Sequence, residues 1–110
     1  MIKTILASLE DSKAEETSHI DIKGKSPVAD HMVVTSGRSH RHVNAVTDRL
    51  LRDLKDHGFG TPKVEGLPAC DWVLVDAGDT LVHIFRPEVR DFYNLEKMWN
   101  AIAQDAPLSN

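Results

Sequence analysis

The stretch from Asp71 to Phe85, DWVLVDAGDTLVHIF, constrains the fold more than any other part of the chain. Two apolar runs, Trp72 to Val75 and Leu81 to Phe85, flank Asp76-Ala77-Gly78-Asp79, which is how a β-hairpin is written in sequence. Both runs are dense in Val, Leu, Ile and aromatic residues, and neither alternates cleanly with polar positions. The spacing therefore predicts strands covered on both faces, and a place at the centre of a sheet. Asp71, Asp76 and Asp79 put three carboxylates at the ends and turn of this hairpin.

The rest of the chain supplies elements to pack around it. Ile2, Ile5, Leu6 and Leu9 recur at helical spacing with polar or small residues between them, so the first helix has one apolar stripe to bury. His19 to Lys23 alternates with period two and stops at Gly24, which predicts a short strand with Ile20 and Ile22 on one side. Pro27 forces an extended connection, and Asp30 to Ser36 reads as a second strand ending at Gly37. Ser39 suits an N-cap, Val43, Val46, Leu50, Leu51 and Leu54 supply the longest stripe, and Gly58 suits the position just past the helix end. His57 beside it suits the negative end of that helix.

Val64-Glu65-Gly66 reads as a short strand before the hairpin. Beyond the hairpin, Pro87 fits a first helical position with Glu88 behind it, and a helix from Arg90 to Trp99 carries the closing stripe Leu95, Met98, Trp99 and Ile102. This order predicts an α/β (α+β) fold, a single two-layer domain with a small mixed sheet of about five strands packed with helices. The long helix, lying between the strand at 31–36 and the later strands, suits a right-handed crossover that makes part of the sheet parallel. The domain is expected over residues 1–103, with 104–110 as a flexible C-terminal tail.

Composition narrows the classes of function. The chain has 110 residues, 41% hydrophobic and 27% charged, with a formal net charge of −4, so a surface built mainly to grip phosphates is disfavoured and basic partners are favoured. Cys70 is the single cysteine, which excludes an internal disulfide framework and a cysteine-based zinc site and fits a reducing compartment. No apolar run approaches the roughly 20 residues of a membrane span, and the first residues read as a helix rather than a secretion signal, so a cytoplasmic protein is expected.

Catalytic and metal chemistry find little support. Thr35-Ser36-Gly37-Arg38-Ser39-His40 resembles a strand, turn and helix start at which free N–H groups meet an anion, but the Walker A spacing is missing. A Mg²⁺-dependent nucleotide-binding enzyme of nucleotidyltransferase type would need two carboxylates at i, i+2 on the next strand, and Lys63-Val64-Glu65-Gly66 offers one. Of the six histidines, His40 and His42 are two apart on a helix and cannot share a metal, while His31 and His83 lie on predicted strands as candidate neighbours with nothing to complete a site. Cys70 reads as a small hydrophobe rather than a nucleophile. Arg38, Arg41, Arg49 and Arg52 are interleaved with Asp48, Asp53 and Asp56, as on a solvated helix face, and lack the stacking aromatics of a nucleic-acid groove. No cofactor and no metal site is expected.

The aromatic residues point elsewhere. Three of the six, Trp72, Tyr93 and Trp99, fall in or just after the hairpin. Trp72 suits core packing in its apolar strand. Tyr93 and Trp99 are six apart, so one continuous helix places them on different faces, and an exposed ring among carboxylates is an anchor for a basic partner.

Longer blocks then carry a family resemblance. Asp21-Ile22-Lys23-Gly24-Lys25-Ser26, Ala29-Asp30-His31-Met32-Val33-Val34-Thr35-Ser36-Gly37 with Ser39 and Arg41-His42-Val43, Val64-Glu65-Gly66, Asp71-Trp72-Val73-Leu74-Val75-Asp76 with Gly78-Asp79, Val82-His83-Ile84-Phe85, and Arg90, Tyr93, Leu95-Glu96-Lys97 and Trp99 follow in one order. Together they closely resemble the Iojap family, known as ribosomal silencing factor RsfS, over almost the whole chain. The resemblance implies a nucleotidyltransferase-like fold without the catalytic carboxylates. It implies a translation repressor, not an enzyme, that binds the large ribosomal subunit through universal large-subunit ribosomal protein number fourteen and blocks the small subunit when nutrients are scarce. It also implies a possible homodimer. An acidic factor suits this role, being repelled by ribosomal RNA and steered to a basic protein. Asp76, Asp79, His83, Tyr93 and Trp99, with Glu96 at the rim, are the expected contact residues.

Overall fold

The computed structural model describes residues 1–89. Helix α1 (Ile2–Asp11) buries Ile5 and Leu9 from its predicted stripe and leaves Ile2 and Leu6 partly covered. Strand β1 (Glu15–Asp21) begins four residues before the alternating segment, and Ile22 lies just past its end although its side chain is fully buried. The added residues, Glu15 to Ser18, are polar and carry a register shift against the neighbouring strand, with Glu16 at φ +51°. Backbone pairing at a sheet edge defines this part of the strand, and no hydrophobic pattern announces it.

Strand β2 (His31–Ser36) leads through Gly37 into α2 (His40–Asp56). Ser39 caps α2, its Oγ accepting from the His42 N–H at 3.1 Å. At the other end Gly58 has φ +83° and donates to the Lys55 carbonyl, while the Phe59 N–H reaches the Leu54 carbonyl at 2.9 Å. This is the paired closure that a glycine beyond the helix end makes possible. His57 Nδ1 lies 2.8 Å from the Asp53 carbonyl, so the ring serves the last turn as expected.

Strands β3 (Lys63–Glu65), β4 (Trp72–Asp76) and β5 (Thr80–Phe85) complete a five-stranded sheet in the order β1-β2-β5-β4-β3. β2 and β5 run parallel and the other pairs antiparallel, so α2 does lie in a crossover and the hairpin strand β5 is central. One face of the sheet, with Val33, Val73, Val75, Val82 and Ile84, packs under Val43, Val46, Leu50 and Leu54 of α2 and Ile5 and Leu9 of α1. The other face gathers Ile20, Ile22, Ala29, Met32, Val34 and Phe85, with Trp72, Leu81 and Val89 partly buried against them. β5 is thus covered on both faces, whereas β4 is fully buried only on its helix side.

Gly37 has a packing reason. A Cβ there would stand 2.8 Å from Val43 Cγ2 and 2.9 Å from the Val43 backbone nitrogen, so only glycine lets the strand end meet the helix start. A helical turn begins at Pro87. The expected helix from Arg90 to Trp99, with Tyr93, Glu96 and Trp99, and the tail at 104–110 lie outside the described residues. Among the described residues no helix is long and apolar enough to cross a membrane.

Candidate partner-binding surface

The hairpin places its carboxylates at two separate ends. Asp76 closes β4, and its Oδ1 accepts the Gly78 N–H at 3.0 Å, an Asx turn that shapes the link to β5. Asp79 is exposed, and its backbone carbonyl accepts from the N–H groups of both Asp30 and His31, at 2.8 and 3.0 Å. Those two hydrogen bonds to one carbonyl fix the loop before β2 against the hairpin turn. Asp76 and Asp79 therefore lie together on a pinned surface.

Asp71 belongs to the far end of the hairpin. Its Oδ1 accepts from Arg86 Nε at 2.9 Å and from His40 Nε2 at 2.8 Å and pairs with Arg86 Nη2 at 2.9 Å, while Arg86 Nη1 reaches Glu88 at 3.0 Å. The His40 hydrogen bond foremost, with Arg86 beside it, holds the Asp71 carboxyl below the usual carboxylate range. The hairpin register contains the signal for this ion pair. Since Trp72 faces Phe85, Asp71 and Arg86 follow at the next position as cross-strand opposites.

His83 lies between these ends, on the face of the sheet turned away from the helices. It is 6% exposed, and its Nδ1 accepts the Trp72 indole N–H at 2.9 Å. The Trp72 and Phe85 rings lie 5.0 Å apart, and His83 stacks against Phe85 at 6.0 Å. Burial pushes the His83 pKa down to about 4, so the ring is neutral at pH 7. The Nε2 atom is buried and has no hydrogen-bond partner among the described residues. His31 is not its neighbour, because the parallel register sets His31 opposite Thr80 and places the two imidazoles on opposite faces. His31 Nδ1 instead meets His19 Nε2 at 2.9 Å.

The strand, turn and helix start at Gly37 spends four of its N–H donors internally. The N–H of Gly37 reaches the Phe85 carbonyl, that of Arg38 reaches His42 Nδ1, and those of His42 and Val43 reach Ser39. Those four donors are thereby withdrawn from any phosphate at this turn. β3 carries Glu65 as its one carboxylate, and among the described residues no group of three or more His, Cys, Asp or Glu side chains is placed to hold a metal ion. Along α2, Arg49 binds Asp53 at 3.1 Å and Asp11 at 3.5 Å, the pairing of a solvated helix face, and before the helix Arg38 approaches Glu15 of β1 at 3.8 Å. Cys70 is buried, and desolvation first, with Asp48 and Asp71 adding, raises its thiol pKa, as suits a small hydrophobe.

Of the expected contact residues, the structure thus brings Asp76 and Asp79 together and sets His83 in the sheet beside them, while Tyr93, Glu96 and Trp99 lie outside the described residues. A family model described as ribosomal silencing factor during starvation, RsfS, matches residues 1–110. The chain belongs to the ribosomal silencing factor family. It is 49% identical over 110 residues to ribosomal silencing factor RsfS of Zymomonas mobilis, covering 99% of this chain and 83% of that one. It is 36% identical to the Bacillus subtilis protein of the same name, covering 100% and 90%. A crystal structure of a Chromobacterium violaceum protein superposes with a TM-score of 0.87 at 35% identity, over 90% of this chain and 82% of that one. The family is named for regulation of ribosomes, and the reading of the chain as a non-enzyme accords with that name.

Proposed function

We propose that this ribosomal silencing factor acts in the cytoplasm by binding the large ribosomal subunit through the basic ribosomal protein number fourteen. From there it blocks association with the small subunit by occupying the joining face, and so represses translation under nutrient limitation. The family match over the whole chain carries the reading. The geometry supports a non-catalytic mode of action, because the loop at Gly37 bonds its Gly37 and Arg38 N–H groups within the chain and the next strand, β3, has one carboxylate. Repression then needs only steric occupation.

The contact surface in this reading is centred on Asp76 and Asp79, with His83 behind them and Tyr93, Glu96 and Trp99 contributing from the segment that follows. An exposed Asp79 and a half-buried Asp76 on a pinned turn favour a cationic protein and disfavour ribosomal RNA, which sets the partner as well as the rate of encounter. The experiment is co-sedimentation of the chain with purified large subunits, followed by cross-linking and identification of the attached protein. Recovery with large subunits, cross-linked to protein number fourteen and lost in Asp79→Lys, is expected. Cross-linking to a different ribosomal protein would overturn the assignment of partner.

A further inference from the structure

Between the end of α2 and the β4 to β5 turn, the surface holds a groove of about 430 Å³ lined by Val28, Phe59, Pro62, Lys63, Asp76 and Ala77 among others. Val28, 62% exposed, and Phe59, 40% exposed, are two of the three large apolar side chains left exposed among the described residues. Neither sits on loose chain. Phe59 follows the helix closure described above and precedes Gly60 at φ +78°, so its backbone is set by hydrogen bonds and by two left-handed glycines. The Val28 N–H bonds Ser26 Oγ at 3.1 Å, and two residues later Asp30 is tied to the Asp79 carbonyl. Two apolar side chains from distant parts of the chain are therefore held at the rim of one groove. The same groove includes Asp76, and the turn carrying Asp79 is bonded to the loop carrying Val28.

We infer that this groove seats an apolar side chain of the basic protein partner, on a short segment whose flanking Lys or Arg residues meet Asp76 and Asp79. The inference deepens the proposed function and rests on it. Charge complementarity selects the occupant. Lys63 stands opposite Asp76 in the β3–β4 register, so the exposed Asp79 carboxylate beside the apolar rim, on a chain of net charge −4, is what favours a cationic polypeptide over phosphates. The groove supplies what the carboxylates lack, since exposed charge pairs mainly set on-rate and register whereas a desolvated apolar anchor sets dissociation.

The test is a titration of large subunits with the full chain and its Phe59→Ser, Val28→Ser and Asp79→Lys variants, each confirmed folded by thermal melting, at two salt concentrations. Phe59→Ser and Val28→Ser are each expected to weaken binding by about tenfold while keeping the parent's salt dependence. Asp79→Lys is expected to weaken binding and flatten that dependence. Loss with Asp79→Lys but parental affinity for both apolar variants overturns the groove and leaves the acidic contact standing. Parental affinity for all three, or a parent chain that does not bind, removes the acidic contact and the inference with it. Self-association of the parent that Phe59→Ser abolishes would identify a second copy as the occupant and contradict the proposal.

Discussion

The Trp72 indole N–H donates to Nδ1 of His83 at 2.9 Å, and this one bond fixes the state of the imidazole. Indole nitrogen can only donate, so Nδ1 must be unprotonated and the neutral ring carries its proton on Nε2. Burial enforces the same state, with a pKa of about 4 against 6.5 for a free ring. The unfolded chain therefore binds the extra proton first, and stability falls as pH drops from about 6.5 towards 4. The full effect is on the order of 3 kcal/mol. Urea unfolding at pH 7, 5.5 and 4.5 is expected to show this loss. His83→Gln, whose amide oxygen can still accept from Trp72, is expected to remove most of it. His19, also lowered by burial and by His31, leaves a residual slope just below pH 6.5.

Trp72→Phe tests the same bond from the other side. The variant keeps an aromatic ring against Phe85 but leaves Nδ1 of His83 buried without its donor, for an expected loss of about 1–3 kcal/mol. Because the lost bond favoured the neutral ring, His83 should also titrate closer to 6.5 in this variant, as an NMR pH titration of the ring protons would report.

Much of this architecture is legible in the residues, for reasons that differ by element. The hairpin is written by its apolar runs and its Asp76 to Asp79 turn, and α2 by its stripe, its Ser39 cap and Gly58. β1 is less legible because Glu15 to Ser18 pair through the backbone at an edge, where side chains carry no hydrophobic pattern. The split of the acidic patch was hidden for another reason. Asp71 and Asp76 look alike in sequence, yet the pairing register places Asp71 against Arg86 and the start of α2 brings His40 to it, whereas among the described residues the turn carboxylates accept only from the turn's own Gly78 and Thr80. Phe59 and Val28 were missed because nothing local sets two residues thirty-one positions apart at one groove, although a phenylalanine between Gly58 and Gly60 is itself a hint of exposure.

Gly37 and Gly78 separate a packing demand from a conformational one. Gly37→Ala drives a methyl group into the Val43 backbone, and an expected loss of about 1–3 kcal/mol should appear in thermal or urea unfolding. Gly78 has φ +94° with open space where a Cβ would stand, so Gly78→Ala carries only the left-handed strain of about 1–2 kcal/mol. A small shift in neighbouring strands could relieve the first but not the second. The crystal structure of Gly37→Ala should accordingly show the start of α2 displaced from the end of β2, and that of Gly78→Ala an unmoved sheet.

Light scattering of purified subunits, mixed after the large subunit has been incubated with this chain, tests most directly whether it acts by standing between them. Saturating chain is expected to suppress joining in proportion to large-subunit occupancy, and Asp79→Lys at the same concentration to restore it. Joining at the full rate while the chain remains bound to the large subunit would contradict that mode of action.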